Sequence, residues 1–122
     1  MSGDDQQSSA GISMSSNTGL KFPNPKVFDG KEEHWDQFQY KFRAYMCLAD
    51  SRFRRQFNII EANPNDPIDL DLEHEGVDVL AAQLQNTLIA LTDGPAAKLV
   101  QRQEKSENGL ESWRILYQRY AP

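Results

Sequence analysis

From Phe28 to Ala49 the large apolar residues fall at Trp35, Phe38, Phe42, Tyr45 and Ala49, with Met46 beside them. Steps of three and four are the period of one helix face, whereas one face of a strand needs steps of two. Asp36, Gln37, Gln39, Lys41 and Arg43 occupy the other positions. The pattern predicts a helix from about Lys31 to Ala49 with an aromatic seam that the rest of the chain must cover. The same period recurs four times. Phe53, Phe57 and Ile60 mark a second helix over Ser51–Ala62. Val77, Leu80, Ala81, Leu84, Leu88 and Leu91 mark a third over Glu75–Leu91, with an aliphatic centre that complements the aromatic first. A fourth starts at Pro95, turns Ala96, Leu99 and Val100 inward, and ends between Ser106 and Gly109. The fifth carries Leu110, Trp113, Leu116 or Tyr117, and Tyr120 on one face.

The residues between these segments punctuate them. Asp29-Gly30 makes a turn, and Asp29 with Glu32 has capping-box spacing, as Asn108 has with Glu111. Asp50-Ser51 is a further cap signal, and Asn63-Pro64-Asn65-Asp66-Pro67 breaks the second helix. Pro95 fits the first turn of its helix, where a missing N–H does no harm. Two prolines hold Lys21–Phe28 extended, and Phe22, Val27 and Phe28 are apolar enough to dock on the domain. Residues 1–21 are rich in Ser, Gly and Gln and read as a disordered tail before a helical domain over 22–122. Short helices with short connections predict an all-α fold, a compact bundle of about five helices.

Composition narrows the function more than it names it. The chain of 122 residues is 39% hydrophobic and 25% charged, ordinary for a globular domain. Its formal charge of −5 disfavours binding to a phosphate backbone through the chain as a whole. The basic residues that cluster are Lys41, Arg43, Arg52, Arg54 and Arg55, a candidate interaction patch. Opposite in sign is the stretch from Asn63 to Asp78, with Asp66, Asp69, Asp71, Glu73, Glu75 and Asp78 and no Lys or Arg. The two are suited to meet across neighbouring subunits.

No catalytic or cofactor-binding set is found. One cysteine, Cys47, excludes an internal disulfide and a multi-cysteine zinc site. His34 and His74 have no partners at metal-ligand spacing. Asp71, Glu73, Glu75 and Gly76 imitate part of a calcium loop, but Ala82 stands where a bidentate Glu is required. No apolar run is long enough to span a membrane, and no Gly-rich loop is present to cradle phosphate. A non-enzymatic protein with neither metal nor cofactor is expected.

Read together, the anchors Phe28-x-Gly30, Trp35, Phe38 and Phe42 resemble the opening of the Gag domain of long-terminal-repeat retrotransposons. The leucine helix with Leu84 and Leu88, followed by Gly94-Pro95-Ala96-Ala97, resembles that family's central connection. Asn108-Gly109-Leu110-Glu111-Ser112-Trp113, with Leu116 and Tyr120, resembles its closing helix, in gypsy and copia lineages alike. The resemblance spans about Pro25 to Pro122. It implies the N-terminal lobe of a capsid-like protein that self-associates or contacts the rest of a Gag polyprotein, in the cytoplasm or the nucleus. A gag-derived adaptor that binds a peptide in a groove is the alternative it implies. Family members usually continue into a second lobe and a zinc knuckle. RNA would then be met indirectly, through a downstream region that this sequence lacks, and direct RNA contact through the basic patch ranks below both readings. No membrane or small-molecule partner is implied.

Overall fold

The predicted tail, residues 1–21, and Phe22 lie outside residues 25–122, which this computed structural model describes. Five α-helices follow in order: α1 Trp35–Ala49, α2 Arg52–Ala62, α3 Val77–Ala90, α4 Gly94–Gln101 and α5 Gly109–Tyr120. Short 3-10 turns at Glu32–His34 and Leu70–Leu72 precede α1 and α3. Among the described residues the only β pairing is one parallel bridge between Phe28 and Thr92. The fold is the predicted all-α bundle.

The last helix is the hub. α5 packs against α2, α3 and α4, and its Trp113 and Leu116 are fully buried. Gly109 opens it because nothing larger fits: a Cβ there would lie 2.2 Å from the Gln85 nitrogen and 2.5 Å from the Ala81 oxygen. The α5 start therefore rests directly on the backbone of α3. The aromatic seam of α1 is covered from this side. Trp35 lies 5.4 Å from Trp113 and Phe42 stacks on Trp113 at 5.2 Å, centroid to centroid. Such ring pairs add about 0.5–1.5 kcal/mol each beyond the area they bury.

A buried polar bridge joins three helices. Gln85 Nε2 donates to the Val100 carbonyl at 2.8 Å, and its Oε1 accepts from Ser112 Oγ at 2.6 Å. Both polar ends of the amide are thus satisfied, as a buried amide requires. The Val100 carbonyl, in the last turn of α4, also accepts from the Gln103 N–H at 3.1 Å, so the amide is its second donor.

Several local expectations are corrected. Ala49 does not belong to the seam: it is exposed at the corner before Asp50, and Met46, 2% exposed, fills the core one turn earlier. Val27 does not dock and is 46% exposed, because its neighbour Phe28 points inward and adjacent residues of an extended segment face opposite ways. α1 begins at Trp35 rather than Lys31, and the Asp29–Glu32 capping box does not form. Asp29 Oδ1 instead accepts from the Lys31 N–H at 3.0 Å, and Glu32 reaches across to Arg119 at 3.2 Å. α3 starts at Val77, two residues late, after Gly76 in the left-handed region at φ +93°. α4 stops at Gln101 instead of near Ser106. Arg102–Glu107 offers no apolar residue to pack, so the chain tightens into turns, with Gln103 bonded to Val100 and Glu104 to Gln101.

Candidate functional site

The residues that carry the Gag resemblance converge on one junction. Phe28 donates its N–H to the Leu91 carbonyl and accepts from the Asp93 N–H, both at 2.9 Å, so the lead-in segment is stitched to the α3–α4 connection. Its ring stacks on Phe38 at 5.1 Å and meets Trp35 and Tyr120 edge-on at 5.5 and 4.9 Å. Two glycines permit this approach. Gly30, at φ +88°, faces Pro95 and the Tyr120 hydroxyl, and Gly94, at φ +58°, faces the Asp29 carbonyl. Leu84 and Leu88 lie in the core beneath, with no exposure. These positions hold the fold together; Gly30 and Gly94 do so by close approach rather than by burial.

The basic patch is smaller than its sequence suggests. Arg43 turns inward along the α1–α2 contact: Nη2 donates to Asn58 at 3.0 Å, and Nε lies 3.3 Å from Glu61 Oε2, off the hydrogen-bond axis. Its guanidinium covers the Phe57 ring at 5.6 Å, and Glu61 also accepts from Trp113 Nε1 at 3.1 Å. Arg52 folds back on Asp50, with Nη2 to Oδ2 at 2.7 Å. That hydrogen bond, with the Arg52 N–H and charge, holds the Asp50 carboxyl below its usual value. Lys41, Arg54 and Arg55 remain exposed, and no ion pair engages them among the described residues.

The acidic stretch is clamped at its base. Ile68 N–H donates to Glu111 Oε1 at 2.8 Å, and the Ile68 carbonyl accepts from Asn108 Nδ2 at 2.9 Å. Arg114 donates from Nη1 to the Pro64 carbonyl at 2.8 Å and from Nε to Glu111 Oε1 at 2.8 Å. Gln118 reaches Asn65 at 2.8 Å. Asn108 does cap α5, accepting from the Glu111 N–H at 3.1 Å, but Glu111 leaves the reciprocal half of the predicted box to serve the loop. Burial pushes the Glu111 carboxyl up, while Arg114 and the Ile68 N–H more than offset it, leaving the group below its ordinary value.

Beyond the clamp, Leu70 packs against the core and Leu72 stands 82% exposed. The acidic side chains around Leu72, Asp71 and Glu73, are exposed as well. Ala82 lies half-buried on α3, and no group of three His, Cys, Asp or Glu among the described residues is placed to hold a metal ion.

One cavity, of about 550 Å³, opens between the lead-in segment and the first half of α1. Val27, Phe28 and Phe38 give it an apolar floor, with Lys26, His34 and Lys41 among its polar walls. His34 Nδ1 lies 3.0 Å from Asp29 Oδ2, and both residues are well exposed. The Lys31 N–H, and then His34, hold the Asp29 carboxyl below its usual value. Cys47 is a half-buried free thiol packed against the core. His74 is exposed. None of these groups forms a nucleophile–base pair with another. No described helix is long and apolar enough to cross a membrane.

Sequence reasoning missed Gln85, Asn108 as a loop anchor, Gly109 as a contact, Ser112 and Arg114. Gln85 carried a signal, an amide four residues after Ala81 and three before Leu88, on the apolar stripe itself. Arg114 carried only its i,i+3 spacing to Glu111, because its other partner, the Pro64 carbonyl, lies fifty residues away.

Comparison of the chain with protein families, with curated proteins and with solved structures finds no match.

Proposed function

We propose that the chain is a non-enzymatic structural module of a retrotransposon Gag, the N-terminal capsid-like lobe, which works by associating with further copies of itself. One observation carries the reading. The residues that resemble the family's opening and closing segments are far apart in sequence and meet in one aromatic junction around Phe28, Trp35, Trp113 and Tyr120, and the middle segment joins it where Phe28 bonds Leu91 and Asp93 and Gly30 faces Pro95. Oppositely charged surfaces support association: exposed Lys41, Arg54 and Arg55 against the acidic stretch after Asn63. Direct RNA binding is weakened as a reading, since Arg43 turns into the α1–α2 contact and Arg52 is paired with Asp50 at the surface.

Light scattering over a concentration series tests the association. At about 50 mM salt the apparent molar mass should rise with concentration, and at about 500 mM the rise should largely disappear, because exposed charges are screened. A constant monomer mass in both rejects the reading. The coding sequence downstream of Pro122 tests the lineage: a second helical lobe or a zinc knuckle supports a Gag.

The cavity beside Val27 favours a second reading, a gag-derived adaptor that binds an extended peptide. Phe28 uses its N–H and carbonyl toward Leu91 and Asp93, and the exposed Val27 stands at the cavity. A peptide spanning residues 15–24, added in trans, should shift the NMR signals of Val27, Gln37 and Phe38 on this reading. Unchanged signals count against it.

A further inference from the structure

We propose that the outward face of α1 with the first turn of α2 is a docking surface for a second copy of this chain, entered by that copy's Leu72 turn. The proposal rests on the self-association reading and names the two surfaces that carry it.

The acceptor face is an unpartnered helix face with a defined charge. Tyr40, Ala44 and Leu48 recur every four residues on α1 and lie opposite its buried stripe. Tyr40 is 73% and Leu48 41% exposed. Lys41 stands beside Tyr40, and Arg54 and Arg55 follow directly after the corner beyond Leu48. Of the other two residues of the basic cluster, Arg43 is turned inward to Asn58 and Glu61, and the exposed Arg52 has its charge offset by Asp50. What remains is an apolar strip with Lys41 beside it and Arg54 and Arg55 in the first turn of α2, three cations outside any ion pair among the described residues.

The donor is complementary in both respects. Leu72 is the most exposed of the large hydrophobic residues described, and Asp71 and Glu73 flank it. Its turn is not free to withdraw the side chain. The Asp69 side chain accepts from the Asp71 N–H at 3.0 Å, and the Leu72 N–H bonds the Asp69 carbonyl at 3.0 Å. Leu70 is packed on the core, and Ile68 is gripped on both its N–H and its carbonyl by α5. The loop therefore presents one leucine between two carboxylates, and the face of α1 presents apolar ground with Lys41 beside it and Arg54 and Arg55 past the corner beyond Leu48. A like-charged face would repel this loop, so the charge pattern selects the partner.

The contact is heterologous: each copy gives its loop to one neighbour and its face to another. Contacts of this kind propagate into rings or open filaments. A single turn on a helix face is small beside a stable dimer interface, so the individual contact is weak and repetition makes the assembly.

Charge exchange between two variants tests the assignment. The loop variant carries Asp71→Lys with Glu73→Lys, and the face variant carries Arg54→Glu with Arg55→Glu. All four positions are exposed, so circular dichroism and thermal melting should match the wild type. At about 50 mM salt the wild type associates, each variant alone is monomeric by sedimentation velocity, and an equimolar mixture recovers the association. Leu72→Ser, which keeps every charge, should reduce the association at least fivefold. If the wild type associates and both variants alone do so equally, the docking surface is wrong while self-association stands. A monomeric wild type overturns both. Variants that lose association without recovery on mixing overturn the pairing of loop with face.

Discussion

The aromatic junction and the clamped loop lie at the two ends of α5 and are built on different principles. At one end Phe28, Trp35 and Tyr120 meet ring on ring, with almost no polar atom involved. At the other, Asn108, Glu111 and Arg114 hold the backbone of Pro64 and Ile68 through directed hydrogen bonds. The first region is tolerant in direction and large in energy. The second is modest in energy and demands geometry, because each removed partner leaves a desolvated group behind. The second fixes where an otherwise polar loop stands, and with it the position of Leu72.

The comparison can be broken most severely from the aromatic side. Trp35→Ala should cost about 3–5 kcal/mol, read as a fall in the thermal or denaturant midpoint, since Trp35 is 1% exposed and touches rings from three segments. A midpoint within error of the wild type would remove it from the core. Gly109→Ala should follow at about 1–3 kcal/mol, because the added Cβ must push apart α5 and the α3 backbone. Arg114→Ala should cost about 1–3 kcal/mol through the unpaired Pro64 carbonyl and Glu111 carboxylate. Its distinguishing mark is locality: Trp113 fluorescence should stay native while proteolysis in the 63–76 loop accelerates.

The Glu111 carboxyl predicts a pH dependence of the same region. Its folded value lies below its ordinary value of 4.5, so its contribution to stability is fully present above that value. It is lost as pH falls through the lowered folded value. Glu111→Gln should flatten that acid limb of a stability–pH curve and leave the neutral side sloped as before. The smallest effect belongs to the exposed cations: Arg54→Glu with Arg55→Glu should change stability by no more than about 0.5 kcal/mol.

The two regions were unequally legible in the sequence. Period and punctuation were enough to place all five helices and most of the buried residues, including Trp35, Phe42, Leu84, Leu88 and Trp113. Errors fell where neighbours compete for a position. Val27 and Phe28 are adjacent in an extended segment, so only one of them faces the core, and Ala49 is exposed because α1 ends there at the corner before Asp50. The clamp was hidden for a different reason. Asn108 and Glu111 have the spacing of a local capping box, and that local reading conceals the long-range bonds both make to Ile68. Likewise five clustered cations read as one patch until Glu61, Asn58 and Asp50 are seen to occupy two of them.

A region that holds the fold and a region that positions a surface should separate under hydrogen exchange. The most direct measurement is amide exchange by NMR at Ile68, in the wild type and in Arg114→Ala. In the wild type the Ile68 amide, bonded to Glu111, should exchange far more slowly than the free amides of its loop. In the variant that protection should fall while the amides of α1 around Phe42 keep theirs. An Ile68 amide that exchanges at loop rates in the wild type would contradict the account, as would protection lost from Ile68 and Phe42 together.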